Sequence, residues 1–266
     1  MIRRVRTSDG LVLYRSDALD AAGVAHGFTT RLGGASPGPR DSLDLGPPDP
    51  DADATRTDEY QTNLDRLLGA LDRPAADLVR TSQVHGNAVF DGTSFDTGSA
   101  PPAADAIITD DARQVLLVRT ADCVPILLSD RRGSAVAAVH AGWRGLVADA
   151  PGHTVSALRE RFAVEPGDLV AAIGPCISLE RYEVGDEVAD AFEAEGLGEA
   201  VDRESFGRPH VDVRRAAKVR LLAAGIDEAA IEVSDRCSSR DEGEFYSYRR
   251  DGLTGRMGAV IAPRDA

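Results

Sequence analysis

Two histidines and one cysteine of this sequence could together bind a metal ion. His85 lies in SQVHGN, Cys123 closes TADC directly before the apolar run VPILL, and His140 ends AVAAVH and precedes AGWRG. Each is a polar group at the end of a predicted strand and close to small residues, which let backbone or ligand approach. Two neutral imidazoles and a thiolate are good zinc donors, and three protein ligands leave a fourth position for water or substrate. The residue types therefore indicate an open metal site, although their spacing matches no compact zinc-finger pattern.

The same residue types admit other interpretations. Cys123 could be an inert buried thiol, because a free cysteine behaves as a small hydrophobic residue, and His85 could cap a turn. Cys123 and one histidine could also form a nucleophile–base pair without metal, as in cysteine hydrolases. Asp122 could orient a histidine or cap a helix. Structural roles are expected for the remaining histidines and cysteines, namely His26, His153, His210, Cys176 and Cys237.

Helices and strands of several lengths must position these residues. Apolar residues at helical spacing predict helices over residues 55–71, 147–162, 185–195 and 211–224. Short apolar runs predict strands, first within residues 1–32 and then over 78–79, 84–90, 106–108, 115–118, 124–128, 135–139, 169–173, 231–233 and 257–261.

The connections between these elements narrow the fold class. The runs 124–128 and 135–139 flank a short polar turn and predict a hairpin. Residues 33–53 are rich in Gly, Pro and Asp, which predicts a long loop, and long loops inside compact domains are often functional. Runs of strands broken by occasional helices favour an α+β fold of mixed β-sheets flanked by helices. No repeat or boundary divides the chain, so we expect residues 1–266 to form a single domain.

Composition excludes several classes of function. The formal net charge of −14 is unfavourable for binding nucleic acid or an anionic membrane, because phosphate contacts need a basic surface. The sequence contains no apolar stretch long enough for a membrane span, and no secretory signal is recognised at its start. Three widely spaced cysteines do not make a disulfide framework. A cytoplasmic protein is expected, and a local arginine cluster could still hold a small phosphorylated substrate.

Beyond single residues, the motifs resemble those of the YfiH or laccase-domain family, whose members are also described as multicopper polyphenol oxidases and purine nucleoside phosphorylases. The resemblance covers nearly the whole chain in order: HGFTTRLGG, SLDLG, SQVHGN, ADAIIT, TADCVPILL, AAVHAGWRGL, IGPCIS with YEVGDEV, and FYSYRRDGLTGR. It implies a three-layer-like fold with mixed sheets. It also implies a zinc site at His85, Cys123 and His140.

The resemblance further implies an activity. This is the phosphorolysis of adenosine, inosine, guanosine and methylthioadenosine, together with deamination of adenosine, so the partners are a nucleoside and phosphate. Cys123 and His140 would take part in catalysis, and Asp122 would help to protonate the leaving base. Guanidinium groups bind phosphate well, and the implied substrate contacts are Arg31, Ser42, Arg144 and Arg249. The chain departs from the family pattern in SLDLG, where Asp44 stands in place of an expected Asn, which affects the contacts of that loop.

The oxidase description of the family can be tested against composition. A multicopper oxidase needs a blue-copper site and a further histidine-rich cluster. Five histidines, with no methionine besides Met1 and Met257, cannot furnish both. We therefore expect one zinc ion per chain, while copper could occupy the same donors because of its higher affinity. Two alternatives stay open: a copper-dependent polyphenol oxidase, and a metal-free cysteine hydrolase or amidase acting on cell-wall precursors, which suits a link of the family to peptidoglycan editing.

Overall fold

A computed structural model of the chain describes residues 1–49, 51–73, 77–96 and 99–264. The helices within these ranges are α1 (Asp17–Ala21), α2 (Ala54–Ala70), α3 (Trp143–Val147), α4 (Ala150–Phe162), α5 (Asp186–Ala194), α6 (Val213–Ala223) and α7 (Tyr248–Asp251). The strands are β1 (Ile2–Arg6), β2 (Val12–Ser16), β3 (Ala25–Thr29), β4 (Asp77–Arg80), β5 (Val89–Asp91), β6 (Ala106–Thr109), β7 (Gln114–Thr120), β8 (Val124–Asp130), β9 (Val136–Ala141), β10 (Leu169–Ile173), β11 (Val201–Asp202), β12 (His210–Val211), β13 (Ile231–Val233) and β14 (Met257–Ala262).

Two six-stranded mixed sheets form the centre of the fold. The first sheet has the order β1-β2-β3-β14-β7-β4, and the second has the order β13-β10-β8-β9-β6-β5. Most neighbours are antiparallel, whereas β4 with β7, β5 with β6 and β10 with β13 are parallel. Strands β11 and β12 pair separately. The fold is therefore α+β with mixed sheets, as the sequence predicts.

Alternating side chains along β7 show how the layers pack. Leu116 and Val118 join the core between the two sheets, whereas Val115 and Leu117 point to the other face and pack with α2. Helices α4 and α6 cover the outer face of the second sheet, with Val155 among their buried residues. The order of layers is thus helix, sheet, sheet, helices. The expected three-layer arrangement is wrong, because the sheets bury their apolar faces against each other as well as under helices.

Most of the predicted elements are confirmed. Helix α2 occupies nearly all of residues 55–71, and α5 and α6 lie within the predicted helices at 185–195 and 211–224. The predicted hairpin is the antiparallel pair β8 and β9, in which Pro125 lies opposite His140. The loop over residues 33–53 contains only a short 3-10 turn and an isolated bridge between Ser36 and Ser42, with residue 50 outside the described ranges. No described helix is long and apolar enough to cross a membrane.

Two elements differ from the sequence prediction. The strand expected over residues 84–90 begins only at Val89, because the amides of Val84, His85 and Gly86 turn around the carboxylate of Asp105. The helix expected over residues 147–162 begins at Ala150 and is preceded by the separate helix α3. Asp149 caps α4 through the amide of Gly152, and a proline in the first turn favours a helix start there.

Candidate metal centre

Three parts of the chain bring the candidate metal donors together. His140 lies near the end of β9 and Cys123 directly precedes the neighbouring strand β8. His85 lies in the connection between β4 and β5, in a left-handed conformation with φ of 61°. The donor atoms of the three side chains lie within 4.8 Å of one another. The two imidazole rings meet edge to face at a centroid distance of 4.9 Å. The fold therefore assembles the cluster that the sequence predicts, although His85 is not at a strand end.

Asp105 connects two of these donors from beneath. Its fully buried carboxylate accepts backbone amides of the His85 loop at 2.7 to 3.1 Å. The same carboxylate lies 2.8 Å from Nδ1 of His140, which leaves Nε2 as the free donor atom of that ring. A carboxylate behind a metal-binding histidine fixes its tautomer and orientation. Asp105 lies in the motif ADAIIT, but its role is visible only when the fold places it under His85 and His140.

The thiol of Cys123 is adapted to metal binding or nucleophilic chemistry. Burial alone would raise its pKa, but the charge and hydrogen bonds of His140, and then those of His85, lower it below its ordinary value. Burial disfavours the charged form of His140, whereas Cys123 and Asp105 raise the pKa of this imidazole. The two groups thus stabilise each other's charged forms, and the thiolate is the form of cysteine that binds metals.

The cluster opens into a cavity of about 770 Å³. His85 is exposed, Cys123 is half-buried and His140 is buried at its floor. Two exposed apolar side chains, Tyr248 and Leu253, stand in the wall with 64% and 69% of their surface accessible. Its charged lining residues are Arg40, Asp44, Asp49, Arg56, Arg119 and Arg256. The donors thus face a space large enough for a small polar substrate.

Two of the sequence-predicted substrate contacts shape a neighbouring loop. The Nε group of Arg31 donates to the carbonyl oxygen of Asp41, and its guanidinium stacks over Tyr246. The hydroxyl of Ser42 accepts the amides of Gly33 and Gly34. Neither Arg31 nor Ser42 lines the cavity. Their contacts support the loop that carries Arg40 and Asp44.

The other predicted residues lie beside the cavity. Arg144 is exposed and covers the ring of Trp143. Arg249 is also exposed; it stacks over Tyr182, and its guanidinium donates to the carbonyl oxygen of Glu183. The carboxylate of Asp122 accepts the hydroxyl of Ser238 at 2.6 Å and the amide of Arg249 at 2.7 Å. Asp122 has φ of 95° and is not in the cavity lining, so its contacts offer no support for an acid role.

Comparison with known proteins identifies the family. A family model described as "Multi-copper polyphenol oxidoreductase laccase" matches residues 25–264. The chain belongs to the YfiH, or laccase-domain, family. A relative from Deinococcus radiodurans, named "Purine nucleoside phosphorylase", is 42% identical over 96% of this chain and 94% of its own length. The YfiH protein of Escherichia coli, which carries the same name, is 38% identical over 90% of this chain and 93% of its own length.

Solved structures of the laccase-domain family have the same fold. The crystal structure of YlmD from Geobacillus stearothermophilus superposes with a TM-score of 0.85 at 34% identity and covers both chains completely. A Bacillus licheniformis protein called YfiH superposes with a TM-score of 0.86 at 28% identity, covering 98% of this chain and 99% of the other. The superposed regions cover both sheets and so include the strand that contains His140 and the residue Cys123 directly before β8.

The multicopper description of the laccase-domain family does not match the donors of this member. In the described part of the chain, His85, Cys123 and His140 are the one group of three or more candidate ligands. The other histidines have separate contacts. His26 bonds the amide of Ser16, His153 contacts the carbonyl oxygen of Asp149, and His210 packs against Phe206. The free thiols Cys176 and Cys237 are buried opposite each other in an isolated bridge.

Sequence reasoning missed several residues of the site. Asp105, Arg56, Arg119, Arg256 and Tyr248 were not selected, although all except Arg56 lie in or next to a recognised motif. Arg119 precedes TADC by one residue, and Arg256 closes DGLTGR. In a chain with many arginines, nothing in the sequence distinguishes those that face the cavity from those on the surface.

Proposed function

We propose that this laccase-domain protein is a zinc-dependent purine nucleoside phosphorylase that also deaminates adenosine. Its substrates would be adenosine, inosine, guanosine and methylthioadenosine, with phosphate as the second substrate. One observation carries the proposal: the His85, Cys123 and His140 cluster opens into a cavity that also contains several arginines. The names of the relatives from Deinococcus radiodurans and Escherichia coli support the phosphorylase part.

The donor set fits one zinc ion. Donors of a tetrahedral zinc site lie about 3.3 to 3.6 Å apart, and those of His85, Cys123 and His140 lie within 4.8 Å of one another, so small side-chain rotations would bring them to that spacing. A bound zinc ion supplies Lewis-acid activation of water or of a substrate oxygen. The donors include a thiolate and two imidazoles, a set that suits zinc and can also bind copper. A polyphenol oxidase is disfavoured, because the described chain has no second group of ligands for further copper ions.

Residues in and around the cavity would hold the substrates. Tyr248 and Leu253 offer an apolar surface on which a purine base can stack. In phosphorolysis, a phosphate oxygen forms the bond to C1′ of the ribose as the C1′–N9 bond breaks, and the purine leaves with that electron pair and a proton. We propose that Asp122, which precedes Cys123 in the chain, protonates the leaving base, and that the exposed Arg144 and Arg249 are outer contacts of the substrates. Arg31 and Ser42 would act by shaping the loop of Arg40 and Asp44.

Incubation with adenosine tests the proposed activity directly. The zinc-loaded protein is mixed with adenosine with and without phosphate, and the products are separated by chromatography. Adenine that forms only with phosphate indicates phosphorolysis, and inosine indicates deamination. Cys123→Ala and His140→Ala should lose zinc and both activities together. Absence of adenine with the zinc-loaded enzyme and phosphate would contradict the phosphorylase proposal.

A second candidate follows from the contacts of Asp105. The carboxylate of Asp105 orients the imidazole of His140, and this imidazole lies beside the thiol of Cys123. This arrangement is also typical of cysteine hydrolases, which need no metal. An amidase acting on cell-wall precursors is therefore the alternative. Protein that is purified without metal, is active, and is inactivated by thiol alkylation would favour it over the zinc enzyme.

The proposed enzyme has a simple domain organisation and cellular location. We propose that residues 1–266 form one domain, because both central sheets contribute to a shared core. We further propose a cytoplasmic location, which agrees with the free thiols of Cys123, Cys176 and Cys237.

A further inference from the structure

The arginines of the cavity are unusual for such an acidic protein. The chain carries a formal net charge of −14, yet the cavity is lined by four arginines and only two aspartates. Asp49 is exposed at the margin, so Asp44 is the one buried carboxylate among them. A concentration of guanidinium groups in a concave site favours an anionic ligand.

Two of these arginines have no carboxylate partner among the residues that the structure describes. The guanidinium of Arg119 donates to the carbonyl oxygen of Thr81 and the side-chain oxygen of Gln83. That of Arg256 donates to the carbonyl oxygens of Thr254 and Gly255. Burial lowers the pKa of Arg119, and the cations Arg80 and Arg256 lower it further, whereas Tyr60 and Asp44 raise it. Arg119 and Arg256 line the same cavity, donate to neutral acceptors and repel each other, so a bound anion would relieve this repulsion.

Asp44 holds a third arginine and partly neutralises the group. One carboxylate oxygen accepts Nη2 of Arg56 at 2.7 Å, and the other accepts the amides of Gly46 and Arg256 at 2.8 Å. Arg40 forms a longer ion pair of 3.5 Å with Asp44. The Nη1 group of Arg56 is buried and has no hydrogen-bond partner within the described chain. Asp44 thus orients Arg56 and also acts as an internal counter-ion.

We infer that Arg56, Arg119 and Arg256 form a subsite for a phosphate group, whose affinity Asp44 reduces. The planar guanidinium forks match the tetrahedral oxyanion and can donate two hydrogen bonds each. The phosphate could be free orthophosphate or the ester group of a nucleotide. The inference rests on the proposed function for the choice of orthophosphate as the second substrate. The substrate contacts that the sequence predicts, Arg31, Arg144 and Arg249, do not line the cavity and are not part of this subsite.

Calorimetry without any nucleoside tests the subsite independently of turnover. Orthophosphate is titrated into the zinc-loaded wild-type protein and into Arg119→Gln and Arg256→Gln. Each substitution removes charge-assisted hydrogen bonds, so the Kd for phosphate should rise about tenfold or more. Arg132→Gln, in the exposed β8–β9 turn, is the matched control and should bind phosphate like the wild type. Zinc content and circular dichroism establish that each variant is folded.

Steady-state kinetics then distinguish the arginines proposed to bind phosphate from Tyr248, which is proposed to bind the purine base. Arg119→Gln and Arg256→Gln should raise the KM for phosphate about tenfold or more, with the KM for adenosine changed less than about threefold. Tyr248→Ala should show the reverse pattern. Asp44→Asn keeps an acceptor oxygen for the amides of Gly46 and Arg256 but removes the counter-charge. It should therefore lower the KM for phosphate about threefold or more.

The outcomes distinguish the subsite from the proposed function. Phosphate binding that is lost in the arginine variants supports the subsite even if no adenine is formed, in which case the phosphorylase proposal fails alone. If orthophosphate does not bind, the subsite could still hold the phosphate ester of a nucleotide. Adenosine 5′-monophosphate should then bind more tightly than adenosine, and Arg119→Gln should lose this preference; otherwise the inference fails. Phosphorolysis with an unchanged phosphate KM in both arginine variants would overturn the subsite, as would phosphate binding that depends only on the zinc ion.

Discussion

A single buried carboxylate positions two metal donors that are 55 positions apart in the sequence. Asp105 turns the His85 loop through three backbone amides and holds Nδ1 of His140. Sequence reasoning selected Asp122 instead, because it is adjacent to Cys123. Asp122, however, is directed toward Ser238 and the amide of Arg249. Two aspartates in similar motifs thus have different environments, which only their contacts reveal.

Replacing Asp105 should weaken metal binding. In Asp105→Asn, one acceptor oxygen becomes an amide donor that faces the backbone N–H groups of the His85 loop. Loss of such a supporting carboxylate typically reduces metal affinity about 10- to 100-fold. Zinc affinity measured by chelator competition should fall by this amount. Asp110→Asn, at the exposed opposite end of β6, is the control and should retain wild-type affinity. Equal affinities for the two variants would show that Asp105 has no part in positioning the donors.

The hairpin of β8 and β9 and the turn that follows it form the floor of the site. Their register places Val124 opposite Ala141, which brings Cys123 next to Gly142. A Cβ atom on Gly142 would lie 3.0 Å from Cδ2 of His85 and 3.2 Å from Sγ of Cys123. The motif AGWRG therefore needs glycine at this position to let two donors approach the turn between β9 and α3.

Gly142→Ala should displace the metal donors without unfolding the chain. Its backbone φ of −73° is accessible to alanine, so the effect comes from contact with His85 and Cys123 rather than from backbone strain. We expect zinc stoichiometry to fall well below one per chain, with circular dichroism unchanged. Gly69→Ala serves as the control, because a Cβ atom there meets nothing within 4 Å. Full zinc occupancy in Gly142→Ala, measured by elemental analysis, would contradict this prediction.

On the scale of the whole molecule, burial fixes the protonation of groups far from the cavity. His26 in β3 is fully buried; its Nε2 accepts the amide of Ser16, and its Nδ1 donates to the carbonyl oxygen of Val24. Burial lowers the pKa of His26 to about 4. The Arg15 cation also lowers this pKa, whereas the Asp20 carboxylate, at 3.9 Å, raises it. The neutral ring is required, because a proton on Nε2 would face the N–H group of Ser16.

Stability should therefore decrease in acid through His26. The unfolded chain takes up a proton near pH 6.5, whereas the folded chain resists it down to about pH 4. The free energy of unfolding is therefore unaffected by His26 above pH 6.5. It decreases as the pH falls toward 4, by up to about 3 kcal/mol, because protons then bind the unfolded chain preferentially. His26→Gln should lack this part of the pH dependence. Urea unfolding of both proteins at pH 7 and pH 4.5 measures it, and parallel losses in the two proteins would argue against the assignment.

Local physical chemistry explains which features the sequence alone determined. The hairpin, most strands and helix α2 follow from residue periodicity, because side-chain direction repeats every two residues in a strand and every 3.6 in a helix. The metal donors were recognisable because few residue types bind zinc, and only five histidines and three cysteines exist in the chain.

Tertiary structure decided the rest, because it depends on contacts between distant segments. The sequence predicted a strand through His85, but a carboxylate some 20 residues away bends this segment into a loop. The sequence also could not show which of the 29 arginines face the cavity, since exposed and cavity-facing arginines have the same local sequence pattern. Only the packing of the two sheets, with the first turn of α2 beside them, brought Arg56, Arg119 and Arg256 into the cavity that contains the metal donors.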